Sequence, residues 1–355
     1  MFAVMKRTSV IAISVTAIAL VPVVVLAAGG LNGKPTATHG PKRTPAPTVK
    51  ITPAPTVAPT LVITPPPSAP PTTAPTAAPT AAPTAAPSVV LVGAGDIASC
   101  SSTGDETVAD MLDGISGTVF TLGDNVYDSG TATEFANCYG PSWGRPGIKS
   151  RTKPVPGNHD YNTTNATGYF GYFGTAAGDP TKGYYAYDLG AWRIYVINTN
   201  TGTCSVVACA AGSAQEQWLK NDLAANPRQC VIAMWHHPRF SSGQHGNNTV
   251  TQQIWQDLYD AHAELILNGH DHTYERFAAQ NPSGGLDTTN GIVEMVVGTG
   301  GKDHYAFATI KANSLVRDNT ASGVLKLTLS ANSWTFNFLP EPGKSFTDSG
   351  SGTCH

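Results

Sequence analysis

The apolar run Leu265–Leu267 stops at Asn268-Gly269, and two histidines follow at i and i+2, His270 and His272. Such a run, cut off by an Asn-Gly turn signal, reads as a short buried strand. On a helix an i, i+2 pair points apart, whereas beyond a strand end both imidazoles can face one small volume. Imidazole is the commonest side-chain ligand for borderline metals, so partner ligands should stand just after other strands. Upstream, Val89–Val92 runs through Gly93-Ala94-Gly95 into Asp96, and Thr118–Leu122 runs into Gly123-Asp124. Lys153–Gly157 leads into Asn158-His159, and Cys230–Trp235 into His236-His237. Taken singly, Asp or Asn after Gly is a turn residue and a lone His is a core neighbour. Recurrence at successive strand ends is different, because open α/β sheets bind ligands outside the carboxyl ends of their strands. The pattern implies one shared site.

Composition narrows what that site can serve. The 355 residues carry a net charge of −3 and only 13% charged side chains, so no basic footprint for nucleic acid is expected. Residues 1–28 set Lys6 and Arg7 before an apolar run that ends in small residues at Ala27 and Ala28. This reads as a signal peptide, with an uncleaved anchor as the other reading. Either way the rest is exported, to a secreted or cell-surface location, with cell-wall or membrane tethering through the N-terminal segment as a possible partner interaction. Residues 29–88 are rich in Pro, Thr and Ala, with Ala-Pro-Thr repeats between Pro75 and Pro87. They lack the large apolar residues that offset ordering entropy, and read as an extended, disordered spacer. Residues 89–355 remain as a catalytic domain, able to bury roughly three quarters of its unfolded surface.

All six cysteines, Cys100, Cys138, Cys204, Cys209, Cys230 and Cys354, lie in that domain. An even number in an exported chain reads as disulfides. Cys204 and Cys209 are close enough for a local loop and Cys354 can pin the tail, while the connectivity stays open. Helical patterns are expected around Glu106–Leu112, near Glu134, from a capping box at Ser213–Glu216 to about Ala224, and over about Thr249–His262. Tyr184–Asp188 and Trp192–Asn198 read as a hairpin, and Ile292–Val297, Val324–Ser330 and Ser333–Leu339 as closing strands. The donor set of carboxylates, an amide oxygen and imidazoles, without thiolate, suits Fe, Mn or Zn. Asp96, Asp124, Asn158 and three histidines are too many for one four-coordinate zinc. They suffice for two metals roughly 3.5–4 Å apart that share a carboxylate, acidify a water and clamp a phosphoryl oxyanion.

Asp96, Gly123-Asp124, Gly157-Asn158-His159-Asp160, the His236 segment and Gly269-His270-Asp271-His272 together resemble the calcineurin-like metallophosphoesterase signature, over about residues 89–300. Ala98 stands where the common form of that family has a histidine. Gly123-Asp124-Asn125-Val126-Tyr127 and His270–Arg276 are instead similar to the purple acid phosphatase branch. Asp160 departs from the branch, where Glu is usual, and no N-terminal β-sandwich domain is recognisable. The resemblance implies an α/β fold, a sandwich of two mixed β-sheets flanked by helices (αββα). It implies that Asp96, Asp124, Tyr127 and His272 hold one metal and that Asp124, Asn158, His236 and His270 hold the other, with Asp124 bridging. The cofactors implied are two divalent or trivalent ions, iron paired with iron, zinc or manganese.

His159 is then expected to contact or protonate the substrate, with His245 as a second outer histidine; His236 is read as the ligand and His237 as packing beside the site or in its outer shell, with the reverse assignment of these two left open. The expected reaction is hydrolysis of small-molecule phosphate monoesters by direct attack of a metal-bound hydroxide. A phosphodiesterase on the same site and a catalytically weak, wall-tethered binding module are the alternatives. Gly140-Pro141-Ser142-Trp143-Gly144 matches a serine-hydrolase string, but no apolar strand precedes it. Arg239 and Arg276 are open between phosphate binding and structural ion pairs. Gly298–Gly301, with Lys302 and His304 after it, is open between a site rim and a plain turn.

Overall fold

Residues 87–355 are described by the computed structural model. The signal peptide and almost all of the spacer inferred above lie outside the described residues. In chain order the strands are β1 (Val89–Ala94), β2 (Ala98–Ser99), β3 (Thr118–Thr121), β4 (Val126–Tyr127), β5 (Thr152–Lys153), β6 (Tyr185–Leu189), β7 (Trp192–Val196) and β8 (Cys230–Met234). They continue with β9 (Leu265–Asn268), β10 (Tyr274–Phe277), β11 (Val293–Val297), β12 (Ser314–Asp318), β13 (Gly323–Leu329), β14 (Ser333–Pro340) and β15 (Asp348–Thr353). One sheet has the order β15-β14-β13-β1-β3-β5 and the other β12-β10-β11-β9-β8-β7-β6, with β2 and β4 forming a short separate ladder. Both large sheets are mixed: β1 runs parallel to β3 and antiparallel to β13, and β9 runs parallel to β8 and β11 while β10 runs antiparallel to β11.

Alternation along the strands builds the layers. Ile194, Ile232, Leu265 and Met295 join Leu91, Phe120 and Leu325 in one buried cluster, whereas Tyr195, Val231, Ala233 and Ile266 belong to a second. Successive side chains point to opposite faces, so these assignments separate the two faces of the second sheet. The second cluster is closed by Leu219 of helix Ala214–Ala225 and by Ile254, Trp255 and Leu258 of helix Gln252–Asp260. Val108, Ala109 and Leu112 of helix Gly104–Asp113 pack into the first cluster. Each fully buried Val, Leu or Ile among them contributes about 1.5–3 kcal/mol. The result is the expected α/β arrangement of mixed sheets flanked by helices. Every residue of β8 and β9 is buried, as central strands covered on both faces must be.

The cysteines pair as Cys100–Cys138, Cys204–Cys209 and Cys230–Cys354, so the local loop and the pinned tail are both present. Only half of the box at Ser213 forms: Ser213 accepts from the Glu216 amide, but the Glu216 carboxylate accepts from Gly212. The reciprocal box sits at Thr131 and Glu134. Strands β10, β12 and β15 and the helix Thr167–Phe173 were not expected from the sequence. Among the described residues no helix is long and apolar enough to cross a membrane.

Candidate metal centre

The parallel strands end together, and their ends are shaped by glycine. Asp96, Asp124 and His270 each follow a glycine and adopt left-handed backbone, with φ of 60°, 47° and 72°. Non-glycine residues held there cost of order 1 kcal/mol or more each, a pattern concentrated at functional sites. The glycines leave room for donor atoms at the backbone. A Cβ on Gly269 would stand 2.5 Å from Asp96 Oδ2, and one on Gly157 would stand 2.2 Å from Asp124 Oδ1.

Two constellations meet at Asp124. In the first, the Tyr127 hydroxyl lies 3.0 Å from Asp96 Oδ1, 3.2 Å from Asp124 Oδ2 and 3.0 Å from His272 Nε2. In the second, His236 Nε2 lies 3.1 Å from Asn158 Oδ1 and 3.2 Å from Asp124 Oδ2, and the His236 and His270 rings are 5.0 Å apart. The His270 amide donates to Asp96 Oδ2 at 2.8 Å, which ties the two halves together. Asp96, Asp124, Tyr127, His236 and His272 are buried, while Asn158 and His270 are half-buried.

The electrostatics fit a bound cation. Burial, with the neighbouring Asp124 charge adding to it, pushes Asp96 up to about 7. Burial acts on Asp124 in the same sense, but the His236 imidazole outweighs it and the carboxyl is held below its usual range. Burial alone would lower His236; Asp124 wins, and His236 is pushed up to about 9. Asp124 and His236 thus form a buried pair in which each favours the charged form of the other. Burial holds His270 at about 3 and His272 at about 4, so both are neutral imidazoles able to ligate. Ligand atoms of Asp96, Asp124 and His236 lie within 4.8 Å of one another, as do those of His236, His237 and His270. A hard, oxygen-rich half beside an imidazole-rich half suits Fe, Mn or Zn.

His159 and His245 stand at the mouth, with side chains 31% and 41% exposed. His159 Nδ1 is 2.7 Å from the Asp128 carbonyl, and its Nε2 is 4.0 Å from Asp124 Oδ2. His245 Nδ1 is 3.0 Å from Asp271 Oδ1, a hydrogen bond that raises the imidazole's pKa. His237 is buried, with Nδ1 2.8 Å from Thr199 Oγ1. Arg276 is drawn away into an ion pair with Asp348 at 2.7 Å. Arg239 lies over the Phe240 ring, 4.4 Å from its centroid. The Gly298–Gly301 loop does reach the site: Lys302 Nζ is 5.1 Å from the Tyr127 ring, and His304 Nδ1 meets the His272 carbonyl. Ser142, buried and bonded to Asp105, is not an accessible nucleophile. Sequence reasoning missed Asp303 and Tyr305, which hold His272 through a 3.0 Å contact to Nδ1 and a ring stacked at 3.9 Å. Neither lies at a strand end, so no local signal marked them.

A model of the family described as calcineurin-like phosphoesterase matches residues 85–274. Purple acid phosphatase 15 of Arabidopsis thaliana is 24% identical over 217 residues, covering 51% of this chain and 40% of that protein. An uncharacterised protein of Mycobacterium tuberculosis is 25% identical over 183 residues, covering 42% of this chain and 35% of that protein. The chain therefore spans well under half the length of these curated relatives. A purple acid phosphatase from yellow lupin seeds superposes with a TM-score of 0.59 at 20% identity, covering 76% of this chain and 54% of that one. GAP50, described as the anchor in the inner membrane complex of Plasmodium, gives 0.57 at 15% identity, covering 76% and 89%. At such identities the superpositions speak for the fold alone.

Proposed function

The chain belongs to the calcineurin-like phosphoesterase family, on its purple acid phosphatase-like side, and from that premise we propose an exported, binuclear phosphomonoesterase. One observation carries the two-metal reading: Asp124 Oδ2 is 3.2 Å from Tyr127 Oη in one constellation and 3.2 Å from His236 Nε2 in the other. Asp96, Asp124, Tyr127 and His272 would hold one ion, and Asp124, Asn158, His236 and His270 the other. When bound, such a pair supplies a nucleophile from water at neutral pH and positive charge for the phosphoryl oxygens.

The chain's own residues do the rest. A carbonyl only accepts, so the His159 Nδ1 beside the Asp128 oxygen carries a proton and Nε2 is the exchanging atom. His245 is arranged alike, with Nδ1 on the Asp271 carboxylate, which favours the protonated ring. Both are thus disposed to give a proton to a departing alkoxide. The half-buried mouth admits the ester while the buried acids stay out of bulk water. Three disulfides support an oxidising, extracytoplasmic location. Residues 1–28 and 29–88, as signal or anchor and as spacer, would deliver and tether the domain 89–355.

Metal analysis of the purified protein, paired with a panel of phosphate mono- and diesters, tests the proposal. Two ions per chain with monoester turnover is the expected result. Turnover of diesters alone would overturn the monoester assignment, and two ions without any turnover would leave a binding module.

A further inference from the structure

A ligating imidazole usually has its second ring nitrogen tied to an oxygen, which fixes both tautomer and ring orientation. His236 obeys this, with Nδ1 2.7 Å from the Leu122 carbonyl, and so does His272, with Nδ1 3.0 Å from Asp303. His270 does not: among the described residues its ring makes no hydrogen bond. Its neighbours are other rings. His245 stacks on it at 4.1 Å with planes 30° apart, and His237 packs against it at 4.3 Å and 51°.

We propose that His270 is oriented by ring packing instead of a hydrogen bond, and that buried His237 is the positioning residue that fixes it for the second metal. The inference rests on the binuclear reading above. His237 is itself held by its surroundings. It is 3% exposed, its Nδ1 is engaged by Thr199 Oγ1 at 2.8 Å, and the same oxygen accepts from the His237 amide. The turn Thr199–Gly202, closed by the Gly202 amide on the Thr199 carbonyl, covers the opposite ring edge. A Cβ on Gly202, at φ 75°, would stand 2.9 Å from both Cδ2 and Nε2 of His237. Asn248 ties that turn to the loop carrying His245. One nitrogen is thus spent on Thr199, and a side chain at Gly202 would crowd the other. His237 therefore contributes a planar surface and not a donor atom, although its ligand atoms come within 4.8 Å of those of His236 and His270. Imidazole rings in offset contact hold orientation without a polar bond.

The test compares the affinity of the second metal in full-length wild type, His270→Ala, His237→Ala and His237→Phe. It is read by chelator competition with zinc and by metal content after dialysis, with the melting temperature of each metal-free protein as the folding control. His270→Ala identifies the second ion. His237→Ala should weaken that ion by roughly 10–100-fold, the scale of outer-partner losses, and leave the first ion in place. The flat ring of His237→Phe should restore binding to within about threefold of wild type. A Phe variant as weak as the Ala variant would make the nitrogen essential and overturn ring packing, and an Ala variant that binds like wild type would overturn any role. Should His237→Ala not fold, Gly202→Ala displaces the ring without removing it and should weaken the same ion, with unchanged affinity counting against the proposal. Failure of the binuclear reading is separate: it appears as a His270→Ala protein that holds as many ions as the wild type.

Discussion

At the scale of single residues, the centre turns on Asp124 and Tyr127. Asp124→Asn should lower occupancy of both metals by at least the 10–100-fold typical of lost outer partners, whereas His272→Ala should empty mainly one position. Metal analysis decides it, and full binuclear occupancy in the Asn variant would refute the bridge. Tyr127 poses a sharper question. Burial, with Asp124 and Asp96 beside it, drives its hydroxyl well above the ordinary phenol range, so a phenolate forms there only if a cation displaces the proton. Loaded with ferric iron, the wild type should be coloured, as the resemblance to purple acid phosphatases implies, and Tyr127→Phe should lose that band. A colourless wild type with verified ferric iron would make Tyr127 a plain hydrogen-bonding wall.

At the scale of elements, β15 is held from outside itself. Its sequence, Asp-Ser-Gly-Ser-Gly-Thr, has neither strand propensity nor an apolar face, yet every residue of it pairs with β14. Trp334 and Phe336 lie against Gly352 and Gly350, where a Cβ would stand 2.6 Å from either ring. Gly352→Val should therefore cost about 1–3 kcal/mol by overpacking, seen as a lower denaturation midpoint. Cys230–Cys354, across 124 residues, pins the end of the strand. Replacing both cysteines by serine should cost about 2–5 kcal/mol. An unchanged midpoint in either protein would mean that β15 contributes little to the fold. A second element-level device is the loop carrying His245, whose amides are gripped by buried acids: Glu294 accepts from Arg239 and Phe240, Glu275 from Ser242, and Asp271 from His245 itself.

At the scale of the molecule, such sequestered groups set the response to pH. Burial pushes Glu294 up to about 8 from its usual 4.5, and His236 is held at about 9 from 6.5. A carboxyl whose native pKa is raised costs stability when it ionises. A histidine whose native pKa is raised contributes stability that is lost as pH rises through that value. Both effects have the same sign between pH 7 and 9, where the native state binds more protons than the unfolded chain. His270 and His272, depressed to about 3 and 4, act only below their unfolded value of 6.5 and leave this window alone. The metal-free protein should thus melt at progressively lower temperature from pH 7 to 9, and Glu294→Gln should flatten part of that slope. A melting temperature that climbs over this interval would show that the buried acids relax or hydrate. Metal, binding only the folded state, should raise the melting point with the logarithm of its free concentration over Kd.

By itself the sequence determined where strands stop and which chemistry stands after them. Apolar runs ending in Gly-Asp, Gly-Asn and Gly-His are local signals, and the glycines are needed locally because ligand atoms press on their backbone. Asp96, Asp124, Asn158, His236 and His270 stood out for their place after strands and His272 for its spacing from His270, whereas Tyr127 entered only through the family resemblance. The capping at Ser213 was legible only in part, because Glu216 had a choice of neighbouring amides. Tertiary structure decided what depends on contacts distant in the chain. It paired Arg276 with Asp348, turned Asp303 and Tyr305 onto His272, and spent His237 on Thr199 and His270. β15 became a strand only because β14 offered a free edge under two aromatic rings. Ladder hydrogen bonds and ring contacts of this kind form between surfaces that exist only after the sheets have assembled, and local propensity carries no record of them.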